Sequence, residues 1–173
     1  MAGKINLSEI KMLITDVDGV LTDGTITIGG DGTESKKFNL LDGHGIKMWH
    51  RAGLATAFIS GRDTSATSIR AEQLNINYVF QGCKKKLPAF EELLEKAGLS
   101  ENQVAYIGDD LLDLPLVKRA GLGVAVAGST SELKDAADYV TTAQGGSGAV
   151  REVIEYILKD AGKWQELIQR YMV

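Results

Sequence analysis

Short apolar segments alternate along the chain with longer segments in which apolar residues recur every three or four positions. The short segments predict buried β-strands, and the longer ones predict amphipathic helices. The predicted strands cover residues 12–15, 56–59, 78–80, 104–107, 123–126 and 139–140. The predicted helices cover residues 45–51, 63–74, 87–97, 115–120, 131–136, 149–159 and 164–171. This alternation predicts right-handed βαβ units, and therefore an α/β fold with a mainly parallel sheet flanked by helices.

A glycine-rich segment interrupts the alternation after the first strand. Residues 24–40 form two alternating arms around Gly29-Gly30-Asp31-Gly32, which predicts a β-hairpin flap. On a lone two-stranded flap, Ile26, Ile28 and Phe38 would be largely exposed, and such a flap is unstable by itself. We therefore expect a neighbouring subunit to cover the flap; the alternative is that the flap folds back on its own domain.

Length and composition narrow the class of protein. The chain has 173 residues, which predicts a single domain over residues 1–173 with a C-terminal tail at 161–173. Its 19 Lys and Arg against 23 Asp and Glu give a formal net charge of −4, so we expect no nucleic-acid partner and no membrane partner. One cysteine excludes an intrachain disulfide and a cysteine-based zinc site. Twenty glycines against two prolines predict many tight turns and close backbone approaches.

Targeting signals are absent from the pattern of the sequence. The first ten residues hold no apolar run of signal-peptide length, and no stretch approaches the roughly 20 apolar residues of a membrane span. Glycine stands at position 3 rather than 2, so the myristoylation pattern fails. We therefore expect a cytoplasmic protein, with which a single unpaired cysteine is compatible.

Polar residues of related chemistry follow four of the predicted strands. They are Asp16 with Asp18, then Ser60-Gly61-Arg62, then Lys84-Lys85-Lys86, and finally Gly108-Asp109-Asp110 with Asp113 one helical turn beyond. Taken singly, each group is more typical of a helix cap, a turn or a solvated lysine run. Because the working groups of open α/β sheets gather at the carboxyl ends of the strands, the ordered set predicts one chemical site.

The residue types at this site indicate phosphoryl transfer. Converging carboxylates repel one another unless a hard cation neutralises them, and oxygen-only ligands favour magnesium. Aspartate is a competent covalent nucleophile towards phosphorus, and Asp18, two residues beyond Asp16, could protonate a leaving oxygen. The Ser60 hydroxyl and the Gly61 amide could hold phosphoryl oxygens, while a lysine would balance the charge that develops during transfer.

Several further features leave alternatives open. Arg62 and Arg70 lie eight residues apart, so on one helix they would share a face and could grip a carboxylate, unless Arg70 is a plain surface residue. The segment 145–148 is either an anion-binding loop or a turn, and Cys83 is either an activated or an incidental thiol. We interpret His44 as a loop residue lining the pocket, and His50 as part of a packed helix face.

Together these motifs resemble the haloacid dehalogenase superfamily over nearly the whole chain. Asp16-Val17-Asp18-Gly19-Val20-Leu21-Thr22 matches its first motif, Ser60 its second, Lys86 its third, and Gly108-Asp109-Asp110 with Asp113 its fourth. The resemblance implies a Rossmann-like fold and a catalytic set of Asp16 as nucleophile, Asp18 as general acid and then base, Ser60 and Lys86. It also implies Mg²⁺ bound by Asp16, the Asp18 backbone carbonyl and Asp109. Asp110 or Asp113 would act indirectly, by supporting these ligands without binding the ion. A chain of this length leaves no room for the separate cap domain that many members carry.

A narrower resemblance is to the 3-deoxy-D-manno-octulosonate 8-phosphate phosphatase family, whose members act in lipopolysaccharide precursor biosynthesis. It rests on Phe38-Asn39, Asp42-Gly43-His44-Gly45-Ile46, Ser60-Gly61-Arg62, Arg70, Gln81-Gly82 with Lys86, and residues 145–152. The resemblance implies a sugar-acid phosphate substrate that contacts Asp18, Asn39, Asp42, Gly43, Lys47, Gly61, Arg62, Arg70 and Lys86. It also implies a homotetramer in which neighbouring subunits close the active site. Leu40-Leu41 stands where the family often has Val-Arg, and Lys47 where arginine is common.

Two other functions remain open at this point. The same chemistry could act on another sugar-acid phosphate, such as 2-keto-3-deoxynonulosonate 9-phosphate. The chain could instead be a non-catalytic phospho-acceptor switch, similar to a response-regulator receiver. Receivers, however, carry their acceptor on a middle strand and lack a Gly-Asp-Asp on the fourth.

Overall fold

A computed structural model describes residues 5–173, so the expectation about targeting falls in part outside the described residues. Six strands form one sheet in which every pair of neighbours is parallel. In chain order all strands are β1 (Met12–Thr15), β2 (Thr27–Ile28), β3 (Glu34–Ser35), β4 (Ala55–Ile59), β5 (Tyr78–Phe80), β6 (Val104–Gly108), β7 (Leu122–Ala125) and β8 (Tyr139–Val140). Strands β2 and β3 form a separate antiparallel hairpin.

Helices cover both faces of the sheet. They are α1 (Leu40–Arg51), α2 (Ser65–Leu74), α3 (Lys86–Ala97), α4 (Leu114–Arg119), α5 (Ser131–Ala136), α6 (Ala149–Asp160) and α7 (Trp164–Gln169). Alternate residues of each strand point to opposite faces, so Leu13 packs in one core with α1, α2 and α6, whereas Ile14 packs in the other with α3, α4 and α5. This is the Rossmann-like α/β fold that the sequence predicts. Within the described residues, every helix is too short or too polar to cross a bilayer.

The strand order places a crevice beside β1. The sheet runs β5-β4-β1-β6-β7-β8, so the chain builds outwards from β1 in one direction through β4 and β5, and then in the other through β6, β7 and β8. In open α/β sheets, ligands bind outside the carboxyl ends of the strands at such a reversal. The carboxyl ends of β1, β4 and β6 therefore form the expected edge for a site.

The structure corrects the predicted start of the first helix. We expected residues 45–51, but α1 begins at Leu40, where the Asn39 side chain accepts a 2.7 Å hydrogen bond from the Leu41 amide. Gly43 and Gly45 made this stretch resemble a loop. Both glycines lie inside the helix, where they allow close packing: a Cβ at Gly43 would lie 2.4 Å from the Arg70 side chain, and one at Gly45 would lie 2.9 Å from Arg151.

The hairpin is shorter than predicted. Only Thr27 with Ser35 and Ile28 with Glu34 pair, and the segment ends before Asn39, which caps α1. Ile28 is 66% exposed, as expected for a lone flap. The expectation of an exposed Phe38 is wrong, because Phe38 packs against the core under the guanidinium of Arg70, 5.5 Å from the ring centre.

Arg62 and Arg70 do not share a helix face. Helix α2 begins only at Ser65, after the Thr64 side chain caps it, so Arg62 lies in the preceding turn. Its guanidinium binds Glu34 of the hairpin, at 2.5 Å. The two arginines therefore face different surroundings, and the helical spacing argument fails.

Candidate active site

A pocket of about 230 Å³ opens at the carboxyl ends of β1, β4 and β6. Its lining combines residues from all four motifs that the sequence predicts to converge: Asp16, Asp18, Gly61, Arg62, Lys86, Asp109, Asp110 and Asp113, together with Gly24 and Leu112. Parallel strands of similar length bring these residues to one edge of the sheet, as expected.

Asp16 is buried at the floor of the pocket, with 7% of its surface exposed. Its Oδ1 accepts a 2.6 Å hydrogen bond from the Val17 amide, and its Oδ2 lies 2.8 Å from the Lys86 ammonium. Burial raises the pKa of Asp16 to about 6, although Lys86 opposes the shift and Asp113 adds to it. The carboxylate is therefore held rigidly by two donors in a partly dehydrated position.

Lys86 bridges two carboxylates. Its ammonium lies 2.8 Å from Asp16 and 2.6 Å from Asp113, and the side chain is nearly fully buried. Burial lowers the pKa of Lys86, but the two carboxylates outweigh burial and leave the pKa above its ordinary value. Lys86 is the first residue of α3, so the helix start directs this charge across the sheet edge towards β1.

Asp113 supports the pocket from behind. Its Oδ1 accepts hydrogen bonds of 2.6 Å from Lys86 and 2.6 Å from the Tyr106 hydroxyl. Its Oδ2 accepts backbone hydrogen bonds from Asp109 at 2.9 Å and Asp110 at 3.3 Å. With four donors in place and no exposed surface, Asp113 orients its neighbours rather than offering oxygens to a ligand.

The donor set of the pocket fits a magnesium ion. Carboxylate oxygens of Asp16, Asp109 and Asp113 lie within 4.8 Å of one another. Because Asp113 already accepts four hydrogen bonds, Asp16 and Asp109 supply the available oxygens. Burial, together with the charges of Asp16 and Asp113, raises the pKa of Asp109 to about 8, and among the described residues no donor is bonded to its carboxylate. An oxygen-only group of destabilised carboxylates is what a hard divalent cation neutralises.

A second loop braces the loop that carries Asp18. The Gly146 amide donates a 2.9 Å hydrogen bond to the Val20 carbonyl, and the Asn39 amide group donates to the Gly146 carbonyl at 3.2 Å. A Cβ at Gly145 would lie 1.8 Å from the Gly19 carbonyl oxygen. The glycine-rich segment that the sequence left open therefore supports the first motif by close backbone packing.

Ser60 is buried at the end of β4. Its Oγ accepts a 3.2 Å hydrogen bond from the Arg62 amide, which leaves the hydroxyl proton free to donate to a ligand. Gly61 lines the pocket directly beside it. The hydroxyl and the neighbouring backbone thus form a small turn at the pocket, of the kind that can hold an anion.

Asp18 lines the same pocket as Asp16 and binds a lysine of the hairpin. The Lys36 ammonium lies 2.7 Å from Oδ1 and 2.8 Å from Oδ2 of Asp18, and the Lys36 side chain has no exposed surface. Sequence reasoning did not identify Lys36, because one lysine in a polar hairpin gives no periodic or motif signal.

Comparison with known proteins gives the site a context. A family model described as haloacid dehalogenase-like hydrolase matches residues 79–154. The chain is 46% identical over 157 residues to the 3-deoxy-D-manno-octulosonate 8-phosphate phosphatase KdsC of Escherichia coli K12, covering 91% of this chain and 84% of that one. The chain belongs to the 3-deoxy-D-manno-octulosonate 8-phosphate phosphatase family.

Solved structures of phosphatases have the same fold. The probable yrbi family phosphatase of Pseudomonas syringae superposes with a TM-score of 0.95 at 47% identity, covering 96% of this chain and 95% of that one. The 3-deoxy-D-manno-octulosonate 8-phosphate phosphatase of Moraxella catarrhalis, solved with magnesium, phosphate and 3-deoxy-D-manno-octulosonate (KDO), has a TM-score of 0.93 at 40% identity and covers 95% of both chains. This member of the family is therefore a phosphoric monoester hydrolase. Its acidic cluster of Asp16, Asp109 and Asp113 is a candidate metal site.

Some substrate-binding residues that the KDO 8-phosphate phosphatase family implies lie away from this pocket. Gly43, Lys47 and Arg70 line a separate groove with Leu40, His44, Gln73 and Leu74. The Arg70 guanidinium donates to the Asn39 carbonyl at 3.3 Å. Asp18, Gly61, Arg62 and Lys86 lie at the pocket, so the implied set is divided between two surfaces of one chain.

Asp42 is buried on α1, against the start of α6. It is 1% exposed, and its carboxylate accepts hydrogen bonds from the Gly148 amide at 3.3 Å and the Arg151 amide at 2.9 Å. Burial raises the pKa of Asp42, and these hydrogen bonds oppose the rise. In this chain Asp42 therefore caps the start of α6. The contact between Asp42 and substrate that the family resemblance implies stays a prediction.

The structure also shows the surroundings of His44, His50 and Cys83. His44 lies on α1 and bonds to the Tyr171 hydroxyl at 2.9 Å, so the expectation of a loop residue is wrong. It lines the groove that contains Lys47 and Arg70. His50 is half-buried and bonds to Thr56 at 3.0 Å, as a packed helix face predicts. Burial raises the pKa of Cys83, which favours the incidental thiol. Sequence reasoning also missed the role of Tyr106. Its position in a predicted buried strand was a usable signal, because a buried phenol hydroxyl needs a hydrogen-bond partner.

Proposed function

We propose that this chain hydrolyses KDO 8-phosphate to KDO and inorganic phosphate, in the synthesis of a lipopolysaccharide precursor. The observation that carries the proposal is a buried Asp16 held by Lys86 beside the unsatisfied Asp109, in a chain 46% identical to a protein of that printed activity. The sites, the oligomer and the compartment given below are parts of the same proposal.

Asp16 is the proposed nucleophile. Its carboxylate oxygen attacks phosphorus, the bond from phosphorus to the sugar oxygen breaks, and the leaving oxygen takes a proton from the Asp18 carboxyl group. Water then attacks the aspartyl-phosphate and gives a proton to Asp18, which regenerates the Asp16 carboxylate and releases phosphate. The two hydrogen bonds from Val17 and Lys86 hold Asp16 in one orientation, which reduces the entropic cost of the attack.

The other pocket residues hold the phosphoryl group. The Ser60 hydroxyl, the Gly61 amide and the Lys86 ammonium are proposed to contact its oxygens, and Arg62 to contact the substrate at the rim. Asp16, Asp109 and the Asp18 backbone carbonyl are proposed to hold Mg²⁺, supported by Asp110 and Asp113. When bound, magnesium neutralises the clustered carboxylates and screens the charge of the substrate phosphate.

The proposed protein is a homotetramer whose neighbouring subunits close each active site. Ile28 and Leu40 are 66% and 82% exposed, which supports a covered surface around the hairpin and the start of α1. The groove containing Lys47 and Arg70 is separate from the pocket of the same chain. We therefore propose that Asn39, Gly43, Lys47 and Arg70 contact the substrate bound in the pocket of a neighbouring subunit. We propose a single domain over residues 1–173 and a cytoplasmic location, the latter supported by the unpaired cysteine.

The test is phosphate release from a panel of sugar-acid phosphates, measured with magnesium and with a chelator. The proposal predicts the highest kcat/KM on KDO 8-phosphate and no turnover with the chelator. A higher kcat/KM on 2-keto-3-deoxynonulosonate 9-phosphate would show that the proposed substrate is wrong, whereas the proposed reaction mechanism would stand. Stable phosphorylation of the protein without turnover would instead indicate a phospho-acceptor switch.

A further inference from the structure

The hairpin places a buried cation against Asp18, which lines the active-site pocket. Lys36, directly after β3, has no exposed side-chain surface, and its ammonium lies within 2.8 Å of both carboxylate oxygens of Asp18. The Thr67 hydroxyl of α2 lies at 3.4 Å and a Glu34 carboxylate oxygen at 3.7 Å. The ammonium is therefore surrounded by oxygens from three separate parts of the chain.

This burial is unusual for its place in the fold. The hairpin has only two paired residues in each strand, and Ile28 is largely exposed, so apolar packing fixes it weakly. Burying a lysine costs free energy unless the charge is paired at close range. The pairs Lys36–Asp18 and Glu34–Arg62 therefore account for how the hairpin is attached to the rim of the pocket.

We propose that Lys36 is a positioning residue that orients the Asp18 carboxyl group towards the leaving-group oxygen. This inference rests on the proposed function, in which Asp18 donates the proton when the bond from phosphorus to the sugar oxygen breaks. Lys36 takes no part in bond making. Its ammonium contacts both oxygens of the Asp18 carboxylate and so restricts the rotation of the side chain. In the protonated acid one oxygen keeps this contact, while the other carries the proton that passes to the sugar oxygen.

The role predicts a dependence on the leaving group. A sugar alkoxide is a poor leaving group and needs the proton of Asp18, whereas p-nitrophenolate leaves without one. The ratio kcat/KM reports the steps up to loss of the leaving group, so it excludes the later hydrolysis of the aspartyl-phosphate. A misaligned Asp18 therefore lowers kcat/KM for the sugar phosphate and spares it for p-nitrophenyl phosphate.

The variants for the test are Lys36→Met, Lys36→Arg and the control Lys37→Met. Lys37 lies on the same hairpin, but its residue is exposed and, among the described residues, it forms no ion pair. Folding of each variant is checked by circular dichroism and melting temperature. Lys36→Gln replaces Lys36→Met if the latter fails to fold.

We expect Lys36→Met to lower kcat/KM for KDO 8-phosphate about tenfold or more beyond its effect on p-nitrophenyl phosphate. Lys36→Arg should recover part of the loss, and Lys37→Met should match the wild type on both substrates. Equal losses on both substrates, or no loss, would overturn the proposal. If the wild type cleaves another sugar phosphate instead of KDO 8-phosphate, the proposed function fails separately, and the same comparison is made with that alkyl phosphate.

Discussion

Gly19 lies directly against the carboxylate of Asp109: a Cβ at position 19 would stand 1.9 Å from Asp109 Oδ2. The Gly19 φ angle of +88° also lies in the left-handed region that other residues rarely adopt. The close approach brings the backbone of the first motif to the acidic cluster of the fourth. The geometry of the proposed metal site therefore requires that residue 19 is a glycine, without a Cβ.

Gly19→Ala is expected to weaken magnesium binding and lower activity, because the new methyl group displaces Asp109. The measurement is the magnesium concentration for half-maximal activity, which should rise at least tenfold. The control is Gly30→Ala, since a Cβ there meets nothing within 4 Å. Unchanged magnesium dependence in Gly19→Ala would contradict the assignment of Asp109 as a ligand.

Tyr106→Phe tests the support of Asp113. The phenol is fully buried and donates a 2.6 Å hydrogen bond to the Asp113 carboxylate. Its loss should lower the free energy of unfolding by about 1.5–3 kcal/mol, as expected for a hydrogen bond to a charged group. Urea denaturation measures the change, with Tyr78→Phe as the matched control, because the Tyr78 hydroxyl has no hydrogen bond within the described residues. Equal effects of the two substitutions would contradict this role.

Magnesium should stabilise the protein more at high pH than at low pH. In the metal-free protein the pKa values of Asp16 and Asp109 are raised to about 6 and about 8, both above the ordinary value of 3.8. Groups with raised folded-state pKa values lose their stabilising contribution as the pH rises from the unfolded to the folded pKa, so the metal-free protein is progressively destabilised between about pH 4 and pH 8. A divalent cation replaces the lost protons.

The measurement is the shift in melting temperature on adding magnesium at pH 5, 7 and 9. The shift should grow with pH in the wild type and be small throughout in Asp109→Asn. A shift that is the same at all three pH values would show that these carboxylates do not bind the ion.

Mixed oligomers test whether a neighbour completes the site. Arg70→Ala should raise KM because it removes a substrate contact, and Asp16→Asn should abolish turnover because it removes the nucleophile. If Arg70 acts on a neighbouring pocket, refolding the two variants together should give more activity than the sum of the two alone. Activity equal to that sum, in a sample that light scattering identifies as tetrameric, would place Arg70 at its own pocket.

Strand positions and the four motifs could be predicted because both depend on local pattern. Each predicted strand lies within two residues of its observed bounds, and the motif residues meet because parallel strands end at one edge. Asp16, Lys86 and Asp109 converge for this reason.

The remaining features depend on contacts between distant segments. Helix α1 was predicted to start late because Gly43 and Gly45 signal a loop, whereas they allow close packing against Arg70 and Arg151. Burial of Lys36 requires knowledge of where the hairpin lies relative to Asp18, which is 18 residues away. Sequence periodicity carries no record of such a contact.

The central claim is that Asp16 forms a covalent bond to phosphorus, and Asp16→Asn tests it most directly. The amide removes the nucleophile while nearly preserving its size, and Asp135→Asn, at an exposed position, is the control. The measurement is phosphate release from KDO 8-phosphate, with circular dichroism to verify the fold and mass spectrometry to exclude deamidation. We predict a folded protein with no turnover above background. A folded Asp16→Asn protein that retains the wild-type rate would contradict the mechanism.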